Sequence, residues 1–173
     1  MFTLVTGASA SGKSQYAEDI LTASGVSPRF YIATMRVFDA EGEARVARHR
    51  AMRAQKGFET IEAPVALAEV SVPGGSAVLL ECLSNLAANE CFGGAGFEGA
   101  KSAILAGVEG LAARTSELVV VTNEVFASGE AYGDDTGRYI DLLGEVNCAV
   151  AARADRLIEV NCGIPVLWKG ASL

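Results

Sequence analysis

The segment Gly7-Ala8-Ser9-Ala10-Ser11-Gly12-Lys13-Ser14 satisfies G-x-x-x-x-G-K-[ST] in full, and no other feature constrains the fold of this chain so tightly. Gly7 and Gly12 allow backbone dihedrals that residues with a Cβ avoid, so successive N–H groups can turn inward onto phosphate oxygens. Lys13 then carries a point charge toward the β- and γ-phosphates, and the Ser14 hydroxyl is a ligand for Mg²⁺. A loop of this kind works only between a buried strand and the positive end of a helix. The flanking residues supply both. Phe2–Thr6 is a short apolar run with β-branched members, stopped by Gly7. Ser14–Ala23 carries Tyr16, Ala17, Ile20 and Leu21 at helical spacing and ends near Gly25. The motif specifies a nucleoside triphosphate; it does not specify the reaction.

The rest of the chain repeats the strand-then-helix order. Phe30–Ala33, Ser76–Leu80, Leu118–Thr122 and Arg156–Val160 read as strands. Asp39–Gln55, Phe97–Ala113 and Asp135–Ala152 read as helices. The glycine-rich piece Phe92–Gly99 reads as a loop. Strands alternating with helices imply right-handed crossovers. The expected architecture is α/β: one P-loop NTPase-type domain over residues 1–173, with a mainly parallel sheet and helices on both faces.

Composition narrows the function classes. Half of the 173 residues are apolar, which excludes a disordered chain. The formal charge of −7 argues against general nucleic-acid binding. Cys82, Cys91, Cys148 and Cys162 are scattered without a C-x-x-C pair, so they read as free buried thiols in a reducing compartment. The N-terminus lacks the charged and apolar regions of a signal peptide, and no apolar run reaches the roughly 18 residues of a membrane span. A cytoplasmic protein is the expectation.

The one histidine, His49, lies in a basic stretch. Arg36 to Lys56 holds six of the 14 Lys and Arg residues of an acidic chain. On a helix, Arg45, His49 and Arg53 share one face. Guanidiniums around an imidazole suit a polyphosphate, and an imidazole nitrogen placed there could attack an α-phosphate. Neighbouring positive charge favours the neutral ring that attack requires. A solvated charged helix carrying an incidental histidine accounts for the same pattern.

Several motifs at fixed order carry a family resemblance. Val5–Ser14, Tyr31-Ile32-Ala33-Thr34, Ala44-Arg45-Val46-x-x-His49-Arg50-x-x-Arg53 and Val121-Thr122-Asn123-Glu124-Val125 are joined by Arg138-Tyr139-x-Asp141-x-x-Gly144-x-x-Asn147, Ala154-Asp155 and Gly163-x-Pro165. Together they resemble the bifunctional adenosylcobinamide kinase / adenosylcobinamide-phosphate guanylyltransferases of cobalamin assembly, over essentially the whole chain. The resemblance implies phosphorylation of adenosylcobinamide, a corrinoid, with ATP or GTP as donor and Mg²⁺ as cofactor. It further implies transfer of GMP from GTP to the product through a guanylylated histidine. His49 matches that histidine. The nucleotide-contacting positions implied are Gly7, Ala8, Ser9, Ala10, Ser11, Gly12, Lys13 and Ser14; Ala33, Thr34 and Met35; Arg50, Ala51, Met52 and Arg53; Glu62; and Glu81. Glu81 stands where a P-loop protein places a strand-end acid near Mg²⁺. A homo-oligomer, specifically a trimer, is implied as well.

The chain departs from the family pattern at Ala8 and Ala10, where G-G-x-R is common, at Phe126 after Val125, at Ala127-Ser128-Gly129-Glu130, and at Cys148 after Asn147. The P-loop and His49 are untouched by these changes. Two other readings fit the P-loop alone: a kinase of another small alcohol, and a nucleotide-dependent switch. The chain contains no N-K-x-D motif for guanine, so guanine preference rests on the resemblance.

Overall fold

The computed structural model describes residues 1–36, 47, 51, 53–125 and 133–171. Seven strands, β1 (Phe2–Thr6), β2 (Arg29–Ala33), β3 (Phe58–Glu62), β4 (Ala77–Glu81), β5 (Glu117–Val121), β6 (Arg156–Asn161) and β7 (Ile164–Lys169), form one sheet in the order β3-β2-β4-β5-β1-β6-β7. The first six are parallel, and β7 returns antiparallel along β6. Four α-helices have both ends among the described residues: α1 (Lys13–Ala23), α2 (Leu83–Gly93), α3 (Gly96–Arg114) and α4 (Asp134–Arg153).

Strand alternation divides the core into two layers. Leu4, Ile32, Val78, Leu80, Leu118 and Val120 face one side, where Leu83 and Leu86 of α2, Ile104, Val108 and Leu111 of α3, and Leu143, Val146 and Val150 of α4 cover them. Val5, Tyr31, Leu79, Val119, Val121, Ile158 and Val160 face the other, against Ala17, Ile20 and Leu21 of α1. Being covered on both faces, the central strands read as nearly continuous apolar runs rather than alternating ones, with Thr3 of β1 a buried polar exception. The expected α/β architecture, mainly parallel with helices on both faces, is the one found.

Among the described strands and α-helices, β3, α2 and β7 were not legible in the sequence. β3 and β7 are edge strands. β3 has the mixed sequence Phe-Glu-Thr-Ile-Glu, and all six residues of β7 are exposed, so neither carries the run of buried apolar residues that marks an inner strand. β7 follows β6 through Cys162 and Gly163, at φ 51° and 80°. Asn161 pairs with Ile164 across that two-residue turn, and positive φ at both central positions is the requirement of a type I′ hairpin.

The expected loop Phe92–Gly99 is instead the end of one helix and the start of the next, with only Gly94 and Ala95 between α2 and α3. Glycine density disguised it. A Cβ at Gly94 would lie 2.2 Å from Oε2 of Glu90, so the glycine makes room for a carboxyl group that binds the junction together. The expectation of buried thiols holds for Cys82 and Cys91 only; Cys148 and Cys162 are exposed, because α4 turns the former outward and the hairpin carries the latter at its tip. Of the expected helix Asp39–Gln55, Ala47, Ala51 and Arg53–Gln55 are helical. Arg45, His49, Arg50 and Met52 lie outside the described residues, as do Phe126 and 127–130.

Candidate active site

The phosphate loop leaves β1 and enters α1 at the carboxyl edge of the sheet, where parallel α/β proteins place their ligands. Its glycines are required by space as well as by dihedral. A Cβ at Gly7 would stand 2.4 Å from the Val160 carbonyl oxygen and 2.7 Å from Ser11 Oγ. Gly12 has φ +93°, and its Cβ would meet Gly163 Cα at 3.3 Å. The loop is braced from two sides: the Gly163 N–H donates to the Ser11 carbonyl (2.8 Å), and the Glu124 N–H donates to the Gly7 carbonyl (3.1 Å). Lys13 is buried, with Nζ donating to the Ala8 carbonyl at 2.9 Å. The Ser11 hydroxyl is buried and has no hydrogen-bond partner among the described residues. A buried polar group of that kind calls for a partner, and a phosphate oxygen in this loop would supply it.

Sheet register assembles the remaining positions. Ala33 pairs with Glu62 on one side and with Glu81 on the other, and Glu81 pairs with Val121. Glu62, Ala33 and Glu81 therefore lie in one row at the carboxyl edge, although 48 residues separate Ala33 from Glu81 in the chain. Ser14 Oγ donates to Glu81 Oε1, closing the link between the first turn of α1 and the end of β4. A hydroxyl and a carboxylate side by side are hard oxygen donors of the kind Mg²⁺ takes, so this pair fits the ion that a P-loop implies.

Thr34 is fully buried, and its side chain is committed elsewhere. Its Oγ1 donates to the Cys82 carbonyl (2.8 Å) and accepts from the Cys82 N–H (2.7 Å), while its own N–H donates to the Glu81 carbonyl (3.0 Å). Thr34 thus locks the exit of β2 to the exit of β4. Met35 and Ala51 are exposed. Arg53 is buried, with its guanidinium carbon 3.5 Å from the centroid of the Tyr31 ring.

Tyr31 was visible in the sequence only as a motif letter. Its hydroxyl donates to Glu81 Oε2 at 3.0 Å. Burial, reinforced by the negative charge of Glu81, pushes this phenol far above its ordinary range, so it remains a proton donor at any working pH. A tyrosine inside a buried strand needs a partner for its hydroxyl, which was the available signal; its partner, 50 residues away, was not. Beyond the ends of β4 and β5, Asn123 Nδ2 donates to Ser84 Oγ (2.6 Å), Cys82 Sγ lies 3.1 Å from that oxygen, and Tyr139 donates to the Ser84 carbonyl (3.2 Å). Burial pushes the Cys82 thiol up and the Tyr139 hydroxyl to about 12. Thr122 Oγ1 donates to Asn147 Oδ1 at 2.8 Å. The motifs around Thr122, Tyr139 and Asn147 thus converge on the ends of β4 and β5.

Known proteins resemble this chain along nearly its whole length. Residues 3–167 match the model of the family described as cobinamide kinase / cobinamide phosphate guanyltransferase. The bifunctional adenosylcobalamin biosynthesis protein CobP of Pseudomonas aeruginosa is 32% identical over 178 residues, covering 100% of both chains. The bifunctional adenosylcobalamin biosynthesis protein CobU of Escherichia coli is 32% identical over 184 residues, covering 98% of this chain and 100% of the relative. Among solved structures, the flagellar accessory protein FlaH from Methanocaldococcus jannaschii has a TM-score of 0.50 at 12% identity, over 97% of this chain and 77% of that one, a likeness of fold alone. The chain belongs to the cobinamide kinase / cobinamide phosphate guanyltransferase family.

Proposed function

We propose that this enzyme phosphorylates adenosylcobinamide from a nucleoside triphosphate and then transfers GMP from GTP to the product, through His49. The observation that carries the reading is the complete phosphate loop joined to Glu81 through Ser14, in a chain that matches its family along nearly its whole length.

In the first step the corrinoid hydroxyl oxygen attacks the γ-phosphorus of ATP or GTP. A P–O bond forms, the bond to the β-phosphate oxygen breaks, the hydroxyl proton passes to solvent, and a nucleoside diphosphate leaves with the corrinoid phosphate as product. The loop N–H groups and Lys13 stabilise the charge that spreads over the phosphoryl oxygens. Mg²⁺ held by Ser14 and Glu81 would neutralise phosphate charge there. In the second reaction a neutral His49 nitrogen attacks the α-phosphorus of GTP, forming a P–N bond and releasing pyrophosphate. An oxygen of the corrinoid phosphate then attacks the same phosphorus and frees the imidazole, giving adenosylcobinamide-GDP. Arg50 and Arg53 hold the triphosphate during the first of these attacks. The family resemblance also makes a cytoplasmic homo-oligomer, specifically a trimer, the working expectation.

Two variants separate the half-reactions. Lys13→Ala should abolish phosphate incorporation into the corrinoid while the protein stays folded. His49→Ala should lose covalent GMP labelling and guanylyl transfer yet keep measurable phosphorylation, because nothing in phosphoryl transfer requires an imidazole. Near-normal kinase turnover in Lys13→Ala would remove the P-loop from the mechanism. Retained labelling in His49→Ala would remove the histidine.

A further inference from the structure

Tyr31 touches both halves of the site through different parts of one side chain. Its hydroxyl holds Glu81 Oε2, while Glu81 Oε1 accepts from Ser14 of the phosphate loop. Its ring lies beneath the guanidinium of Arg53, which follows His49 by four residues in the chain. The residue is 8% exposed, belongs to the apolar cluster beneath α1 and is tied at the hydroxyl to Glu81 and at the ring to Arg53, so neither end is free to move independently. Glu81 therefore has a fixed rotamer, with one oxygen presented to the loop and the other held from behind. Arg53 rests on a flat, anchored surface that limits where its N–H groups can point.

We propose that Tyr31 is a positioning residue shared by both reactions: its hydroxyl orients Glu81 for phosphoryl transfer, and its ring orients Arg53 for guanylylation. This assignment rests on the function proposed above. It divides one side chain into two separable parts, and conservative substitutions can remove them one at a time. Tyr31→Phe deletes the hydroxyl and keeps the ring and its packing. Tyr31→Leu deletes both.

The experiment uses the full chain, with folding checked by circular dichroism. Tyr31→Phe should weaken Mg²⁺-dependent nucleotide binding, measured by titration calorimetry with and without Mg²⁺. It should also raise the Mg²⁺ concentration needed for half-maximal kinase rate roughly tenfold to a hundredfold, the worth of one hydrogen bond to a charged group. At saturating Mg²⁺ and GTP its rate of GMP labelling should stay within about twofold of wild type, since phenylalanine presents the same face to a cation. Tyr31→Leu should lose Mg²⁺ response equally and slow labelling in addition, by roughly twofold to thirtyfold. In a Glu81→Gln background, Tyr31→Phe should add little to the kinase defect, because the hydroxyl acts through that carboxylate. If Tyr31→Leu does not fold, the Tyr31→Phe measurements and the Glu81→Gln cycle decide the matter. An unchanged Mg²⁺ response in Tyr31→Phe, or full additivity with Glu81→Gln, would overturn the assignment to Glu81. Equal loss of labelling in Tyr31→Phe and Tyr31→Leu would overturn the assignment of the ring. A wild-type protein that neither phosphorylates nor labels would refute the parent function, an outcome distinct from wild-type activity with indifferent variants.

Discussion

Glu90 offers a test of how the carboxyl edge of the sheet is supported from below. It is 3% exposed at the end of α2, and its two oxygens accept from different backbone segments: Oε1 from the Ala66 N–H at 2.7 Å, and Oε2 from the Ala95 N–H at 2.9 Å. Ala66 has φ 55° and ψ 44° and opens the 3₁₀ turn Leu67–Glu69, so its N–H is aimed by an unusual backbone; Ala95 sits between α2 and α3. Removing the side chain as Glu90→Ala forfeits both bonds, each of which is worth ~1.5–3 kcal/mol when the partner is charged. Ala95 lies at the surface, where water can replace the carboxyl group, so its share falls below that range. The expected loss is about 2–4 kcal/mol, most of it at Ala66. Glu90→Gln retains one carbonyl acceptor but turns an NH₂ toward the other N–H, and should cost about half as much. Urea denaturation is the assay, read as a lower midpoint at unchanged slope. The geometry adds a coupled test, because a Cβ at Gly94 would lie 2.2 Å from Glu90 Oε2. Gly94→Ala should therefore destabilise the wild type markedly and the Glu90→Ala variant little. Stability of Glu90→Ala within about 0.5 kcal/mol of wild type, the range of an ordinary surface change, would refute this reasoning.

Two further outcomes follow from packing and exposure. Gly107→Ala places a Cβ 2.7 Å from Leu67 Cβ and 3.0 Å from the Ala68 nitrogen; overpacking of about 1–3 kcal/mol should outweigh the gain of ~1 kcal/mol in helix propensity and lower Tm in a thermal scan, whereas a raised Tm would contradict that contact. With a maleimide in native conditions, exposed Cys148 and Cys162 should react quickly, while buried Cys82 and Cys91, whose thiols burial pushes up, should react only in denaturant; four equal rates would contradict the assigned burial.

What the sequence revealed depended on whether a residue's partners were near it in the chain. The phosphate loop was legible in full, because strand, glycines, Lys13, Ser14 and helix are contiguous. The inner strands β1, β4 and β5 were legible because both of their faces are covered, leaving a mainly apolar run. β3 and β7 lie at edges and lack that mark. α2 was hidden because Gly93, Gly94 and Gly96 suggest a loop, whereas Glu90 fastens that junction from within. Glu81 could be placed by its position at a strand end, but its grip on Tyr31 could not, since register across β2 and β4 creates it. Thr34 shows the converse: its motif implied a nucleotide contact, and its side chain is given to the Cys82 backbone. The sequence suggests a stripe of arginines around His49, and of that stripe only Arg53 lies among the described residues, where it is helical.

The covalent intermediate is the most direct test of the proposed guanylylation. Wild-type protein and His49→Ala should each be incubated with Mg²⁺ and GTP labelled at the α-phosphate, then denatured, separated by electrophoresis and digested for mass spectrometry. The wild type should carry GMP through an acid-labile, base-stable bond mapped to His49. It should release that GMP to adenosylcobinamide phosphate when the corrinoid is added before denaturation. His49→Ala should carry none. A wild-type enzyme that transfers GMP without ever holding it, or a label that persists in His49→Ala, would contradict the histidine mechanism.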